Sequence, residues 1–357
     1  MDNTTYCFGE KLRLEISGES HGPFVGAALS GLPAGFRPDM EKLAAFMKRR
    51  SPSPENGGTA RREKDIPVFV SGMRGGATDG GTVVIRLDNT DVRKEDYDLI
   101  SHVPRPGHAD LAAYMKTGSI PSGGGAFSGR MSAPLCAAGG LVIQLLEERG
   151  IRIFSHLFSV GEIFDIPYDP VDPTREICDD FPCVSSRSAK LMKMEIESAR
   201  RKGDSVGGVI ECAVTGLPSG LGGPLYEGTE GRIASAVFAV PAVKGIEFGS
   251  GFSSARMRGS DNNDGYRIRE GRVAFESNSS GGILGGITTG MPLIFRTAVK
   301  PTPSIAMPQH SVDLERMEDT VLEIEGRHDT CIAVRALPVI EASCAIAVCD
   351  MILKEEM

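Results

Sequence analysis

Three of the six histidines lie in glycine-framed polar motifs: His21 in Gly18-Glu19-Ser20-His21-Gly22, His108 in Arg105-Pro106-Gly107-His108-Ala109-Asp110, and His328 in Gly326-Arg327-His328-Asp329. Imidazole titrates near neutral pH, so a histidine held among Ser, Arg and Asp suits proton transfer beside an anion. His102, His156 and His310 lack such neighbours and are read as structural or surface groups. Arginines gather in or near the same motifs: Arg49, Arg50, Arg61, Arg62, Arg105, Arg130, Arg327 and Arg335. A guanidinium fork binds carboxylate and phosphate through paired donors, although some of these will be solvated surface charges. Lys300-Pro301-Thr302-Pro303-Ser304 directly follows an apolar strand and offers a cation and two hydroxyls on a rigid loop, suited to a phosphate or flavin edge. Asp329 beside Arg327 reads equally as a base or as a salt-bridge partner. No Walker motif, dinucleotide-binding glycine fingerprint or serine triad is evident, and no Cys/His set has zinc spacing, so no metal is expected. These residues by themselves describe an enzyme acting on a small polyanion, phosphorylated or not.

The elements that must position these groups are strand-rich runs followed by helices. GTVVIRLDN, RIFSHLFSV, GGVIECAVTG and MPLIFRTAV are β-branched runs flanked by turn residues. Asp39 is placed to cap a helix whose Met40, Leu43, Ala44 and Met47 share a face, and Lys48-Arg49-Arg50 suits its C-terminal pole. Further helices are expected over about 132–148, 186–202 and 338–354, with a Pro- and Asp-rich surface excursion at 166–185. The 357 residues are 41% apolar and 24% charged, ordinary for a globular chain. A net charge of −8 argues against nucleic-acid binding, so an anionic ligand needs a local basic cluster. The apolar stretch 332–353 contains Arg335, Glu341 and Asp350 and reads as a core helix, so no membrane association is expected. The N-terminal residues carry no secretory pattern, and eight scattered cysteines fit reduced thiols in the cytoplasm.

The chain also repeats itself. GESHGPFVGAALSGLPAG (18–35) aligns without a gap with GDSVGGVIECAVTGLPSG (203–220) at 8 of 18 identical positions, and only the first copy carries the histidine. GGATDGGTVVIR (75–86) echoes GGITTGMPLIFR (285–296), and Gly129-Arg130 and Gly326-Arg327 each precede an apolar helix. Their shared order implies two related halves, about 1–155 and 190–357, packed as one domain.

These motifs, with GLPSGLGGP, AVKGIEFGSGF, GGILGGITTG, KPTPSI and GRHDTCIAVRALPVIEA in order over nearly the whole chain, resemble the chorismate synthase family. The resemblance implies an α+β fold, a β-α-β sandwich of two related halves, and assembly as a homotetramer. It implies a carbon–oxygen lyase of the shikimate pathway, serving aromatic amino-acid biosynthesis. The substrate would be 5-enolpyruvylshikimate 3-phosphate, and chorismate would form by 1,4-anti elimination of phosphate, with reduced FMN essential and no net redox change. By the same resemblance, His21, His108 and Asp329 would be catalytic: His21 near the leaving phosphate, His108 beside the flavin, and Asp329 with flavin N5 at the C6 proton. Ser20 and Ser128 would support them, and Arg50, Arg105, Arg130 and Arg327 would clamp the substrate. Ala126, Phe127, Ser128, Pro241, Ala242, Gly285, Lys300, Pro301, Thr302, Pro303, Ser304 and Arg327 would contact the flavin. No NADP-dependent reductase segment is visible, so a separate flavin reductase is the expected partner. The chain departs from the family where Gly-Gly-Arg-Ser-Ser-Ala-Arg-Glu-Thr becomes Gly-Gly-Ala-Phe-Ser-Gly-Arg-Met-Ser at 124–132. Asn56 stands about where a second arginine is frequent, and Arg61 or Arg62 could supply that charge. The alternative expectation is a diverged paralogue that binds flavin or a polyanion without catalysis.

Overall fold

Two long apolar helices need cover on every side, and the chain provides it with a five-stranded sheet on each face. The computed structural model describes residues 5–51, 65–90, 101–178, 180–324 and 329–356. The first part runs β1 (Tyr6–Phe8), β2 (Arg13–Gly18), β3 (Phe24–Ser30), α1 (Met40–Arg50), β4 (Val68–Ser71), the hairpin β5 (Met73–Arg74) and β6 (Ala77–Thr78), β7 (Val83–Asp88), α2 (Asp110–Thr117) and α3 (Ser132–Glu148). Next come β8 (Arg152–Val160), β9 (Ile163–Phe164), α4 (Ser186–Arg201), β10 (Gly208–Thr215), α5 (Thr229–Phe238), β11 (Val243–Phe248) and α6 (Gly259–Asn262). The hairpins β12 (Tyr266–Arg269)/β13 (Arg272–Phe275) and β14 (Ile283–Leu284)/β15 (Ile287–Thr288) precede β16 (Leu293–Val299), the hairpin β17 (Gln309–Asp313)/β18 (Glu318–Leu322) and α7 (Ala333–Glu355).

The sheets are antiparallel, ordered β1-β2-β3-β7-β4 and β11-β16-β10-β8-β9. Helix α3 packs on β3 and β7, α7 packs on β8 and β10, and the two helices pack on each other. The layers are therefore sheet, helices, sheet: the α+β sandwich expected from the sequence. The arrangement β2-β3-β7-β4 has its counterpart in β8-β10-β16-β11, each with a small hairpin before the third strand and a long helix after it.

Helix contact is close because Gly139 has no side chain: a Cβ there would lie 2.3 Å from that of Ala342 on α7. Buried carboxylates on α7 are each satisfied, as low-dielectric burial demands. Asp350 Oδ1 accepts from the main-chain N–H groups of Glu10, Lys11 and Leu12 at 2.7–3.0 Å, tying the N-terminal strands to the last helix. Glu341 takes a two-bond fork from Arg49, at 2.6 and 2.7 Å, and the Ser155 hydroxyl at 2.6 Å. Two helices, Gly129–Glu148 and Ala333–Glu355, are long and apolar enough to cross a membrane, but their apolar windows are 83% and 94% buried inside the fold. They are the core.

The expected helices over 39–50 and 186–202 form as α1 and α4. Asp39 accepts from the Glu41 and Lys42 N–H groups, and Ser185 caps α4. The 166–185 excursion has no regular structure among its described residues, yet it buries Tyr168, Phe181 and Cys183.

Candidate active site

The centre of the site is a glycine turn. Gly123, Gly124 and Gly125 all have positive φ (58°, 83° and 51°), a run that β-carbon-bearing residues rarely adopt. The lack of side chains matters as much as the dihedrals. A Cβ on Gly123 would lie 1.8 Å from His21 Cε1, and one on Gly124 would lie 3.1 Å from His108 Cε1. Two histidines 87 residues apart in sequence thus lean on neighbouring residues of one turn.

His21 follows β2 and is held by Ser20. The buried Ser20 Oγ donates its one proton to the Gly123 carbonyl at 3.1 Å and lies 2.9 Å from His21 Nδ1. With that proton committed, Oγ accepts from Nδ1–H. His108 is held by Asp110, the first residue of α2: Nδ1 lies 2.6 Å from Asp110 Oδ1. The same carboxylate receives Arg105 Nε at 2.7 Å, its Nη2 at 2.9 Å and its main-chain N–H at 3.1 Å. Burial works against the Asp110 charge, but the bonds from Arg105 and His108 outweigh it and hold the carboxyl well below its usual range.

The loop 300–304 closes this side. Arg105 Nη1 donates to Ser304 Oγ at 3.3 Å, and Lys300 Nζ donates to the Gly107 carbonyl. Lys300 N–H donates to the Ala242 carbonyl at 3.0 Å, which brings Pro241-Ala242 alongside. Burial, and then the nearby Lys244 cation, pull the Lys300 ammonium below its ordinary pKa. The Thr302 hydroxyl oxygen is buried and has no hydrogen-bond partner among the described residues.

A second group of charges adjoins the first. Asp65 bridges two buried guanidinium groups, Arg50 and Arg130, one on each carboxylate oxygen. Burial opposes the Asp65 charge, but the two arginines more than offset it and lower its pKa. Arg50 also reaches Ser132 Oγ at 3.2 Å, while its buried Nε has no partner among the described residues. Arg335 donates from Nε to the Arg50 carbonyl at 2.9 Å and pairs with Asp329 through Nη1. Asn89 joins the two groups: its amide nitrogen donates to the carbonyls of Glu19 (3.2 Å) and Gly22 (2.8 Å), and its Oδ1 accepts from Arg130 Nε at 2.8 Å. Ser128 Oγ accepts from the Arg130 N–H at 3.2 Å, and Phe127 lies half exposed on the preceding turn.

The structure thus gathers Ser20, His21, Arg50, Arg105, His108, the 126–128 turn, Arg130, Pro241-Ala242, the 300–304 loop and Asp329 around one region. Gly285 is different. It sits at the tip of the β14/β15 hairpin beside the start of α5, with no atom within 4 Å of where a Cβ would be. Arg327 and His328, like Asn56, Arg61 and Arg62, lie outside the described residues. Sequence reasoning left Asp65 and Asn89 unassigned, since a lone Asp and a lone Asn at strand ends carry no pattern. Asp110 had a readable signal, two residues after His108 in the same motif.

Proton-bearing imidazoles beside buried guanidinium groups are the equipment of an enzyme that moves protons on an anionic ligand. Comparison with known proteins makes the class particular. A sequence model of the chorismate synthase family matches residues 12–353. Chorismate synthase of Lancefieldella parvula is 43% identical over 97% of this chain and 96% of its own length. That of Thermococcus gammatolerans is 44% identical over 98% of each. A solved crystal structure of chorismate synthase superposes with a TM-score of 0.74 at 27% identity, covering 98% of this chain and 93% of that one. The chain belongs to the chorismate synthase family.

Proposed function

We propose that this protein converts 5-enolpyruvylshikimate 3-phosphate to chorismate by 1,4-anti elimination of phosphate, with reduced FMN required and no net redox change. The observation that carries the reading is the shared seat of His21 and His108 on the Gly123–Gly124 turn, with buried arginines around it. A substrate with one phosphate and two carboxylates cannot be buried without such paired donors. Arg50 Nε, which has no partner among the described residues, is one donor for it.

The residues present also fit a phosphate-bearing flavin. Lys300 with Lys244 nearby offers cationic charge for the phosphate, and the buried Thr302 hydroxyl lacks a protein partner among the described residues. The 126–128 turn and Pro241-Ala242 complete the assigned contacts near that loop, and Gly285 and Arg327 belong to the same assignment. Reduced FMN, when bound, supplies electron density to the allylic system from which phosphate leaves. His21, with Nδ1 fixed by Ser20, delivers a proton from Nε2 to the departing phosphate. His108, oriented by Asp110 and Arg105, would serve bound flavin as its proton donor. Asp329, oriented by Arg335, takes the C6 proton. Arg50, Arg105 and Arg130 orient the substrate, and their burial keeps water from screening those charges. The same reading includes a cytoplasmic homotetramer supplied with reduced FMN by a separate reductase. Eight free cysteines fit the cytoplasm, and the exposed Leu225 and Tyr226 offer apolar surface to another copy.

The test is anaerobic turnover of 5-enolpyruvylshikimate 3-phosphate with reduced and with oxidised FMN, following phosphate and chorismate together. Equal amounts of both, with reduced flavin only, are expected. A second reading, binding without catalysis, draws on the half-exposed Phe127, which offers no hydrogen bond on a turn where the family has serine. Substrate binding by folded protein with no phosphate release would favour it and overturn the first.

A further inference from the structure

We infer that Cys178 and Cys183 form a reversible oxidation site, at which a small peroxide converts the two thiols to a disulfide. All eight cysteines are free thiols. Two pairs of them lie side by side: Cys178 with Cys183, and Cys212 with Cys344. The first pair is joined through the backbone, where Cys178 N–H donates to the Cys183 carbonyl at 2.9 Å. The two thiol groups themselves lie within hydrogen-bonding reach of each other, the proximity that a disulfide needs. The sulfurs point the same way along the chain that follows: Cys178 Sγ lies 3.6 Å from the Val184 carbonyl, and Cys183 Sγ lies 3.2 Å from that of Ser185. Asp165 anchors this segment by accepting the N–H groups of Val184 and Ser185.

Access divides the roles. Cys178 is half-buried and lines an open cavity of about 430 Å³, together with Phe181, Pro182, Arg49 and Glu341. None of the cavity's lining residues belongs to the glycine-turn site. Cys183 is fully buried, and burial raises its thiol pKa to about 12, so Cys183 waits for its neighbour to react. Cys178 attacks hydrogen peroxide, the O–O bond breaks, and Cys178 sulfenic acid and one water form. The Cys183 sulfur then displaces the sulfenic hydroxyl, which leaves with the Cys183 proton as a second water. Two thiols are oxidised by two electrons, and one peroxide is reduced to two waters. Cys212 and Cys344 are both fully buried, on β10 and α7, and are the internal control.

The experiment treats the folded protein with hydrogen peroxide, blocks remaining thiols with N-ethylmaleimide, and maps peptides without reduction. The expected product is an intramolecular Cys178–Cys183 link that dithiothreitol removes, with Cys212 and Cys344 alkylated only after unfolding. In Cys183→Ser, a dimedone adduct should collect on Cys178; in Cys178→Ser, a change at a half-exposed position that the fold tolerates, Cys183 should stay reduced. The inference is overturned if Cys178 remains a thiol while the exposed Cys7 oxidises. It is equally overturned if Cys178 sulfenic acid accumulates in the wild-type protein beside a reduced Cys183.

Discussion

Gly123 shows how little freedom a single position in the site has. Any Cβ there meets the His21 ring at 1.8 Å, and the φ of 58° already disfavours one. Gly123→Ala must therefore move either the imidazole or the turn that also seats His108. The expected result is a fall in phosphate release of about 10²-fold, the scale of a 1 Å misplacement of a reacting group, with the thermal unfolding midpoint nearly kept. Wild-type turnover in this variant would show that the contact does not position His21. At this scale much was legible in the sequence. The histidine motifs, the Arg105 motif and the 300–304 loop could be read because each packs several polar residue types into a few positions. Asp65 and Asn89 could not. Their importance comes from bridging groups far apart in the chain: Asp65 lies 65 residues from Arg130, and Asn89 lies 67 from Gly22. Nothing local marks either one.

Among the elements, the second sheet carries an ionic pin that the sequence hid. His156 on β8 is fully buried, 2.9 Å from Glu211 on β10 and 3.1 Å from Asp165 beyond β9. Burial lowers its pKa, but the two carboxylates more than reverse this and raise it above the usual value. A raised folded-state pKa adds stability that is complete below the unfolded histidine value, about 6.5, and is lost as pH climbs through the folded value. The stability difference between wild type and His156→Gln should therefore be largest below about pH 6.5 and shrink as pH rises through the raised folded-state value, as measured by denaturant unfolding. A difference that stays constant with pH would mean that His156 is not charged in the fold. His156 looked unremarkable in sequence because its partners sit 9 and 55 residues away, on other elements. The strands and helices themselves were readable: β7, β8, β10 and β16 fall within the expected runs, and α3 spans the expected 132–148. Helix α7 begins at Ala333, five residues before the expected start, because tertiary packing carries the helix through Pro338 in its second turn.

Across the whole molecule, the two sets of elements supply different parts of one site. The first set brings His21, Arg50, His108 and Arg130. The second brings Lys300, Thr302, Ser304 and the Asp329–Arg335 pair. The strand orders β2-β3-β7-β4 and β8-β10-β16-β11 correspond, and only the first of the two echoed sequence segments carries the histidine. The overall class was legible because two sheets around two apolar helices need long alternating runs. The meeting of the halves, where Arg105 reaches Ser304, Lys300 reaches Gly107 and Arg335 reaches Arg50, was not, because it depends on three-dimensional contact alone.

The proposed elimination rests on His21 and His108, seated against the glycine turn, as proton donors to the leaving phosphate and to the flavin. The most direct test is the anaerobic rate of phosphate release with reduced FMN in His21→Ala and His108→Ala, with substrate binding measured by calorimetry on the same samples. Each variant should bind substrate and lose about 10²–10⁴-fold in rate. Near-wild-type rates in both folded variants would contradict the account.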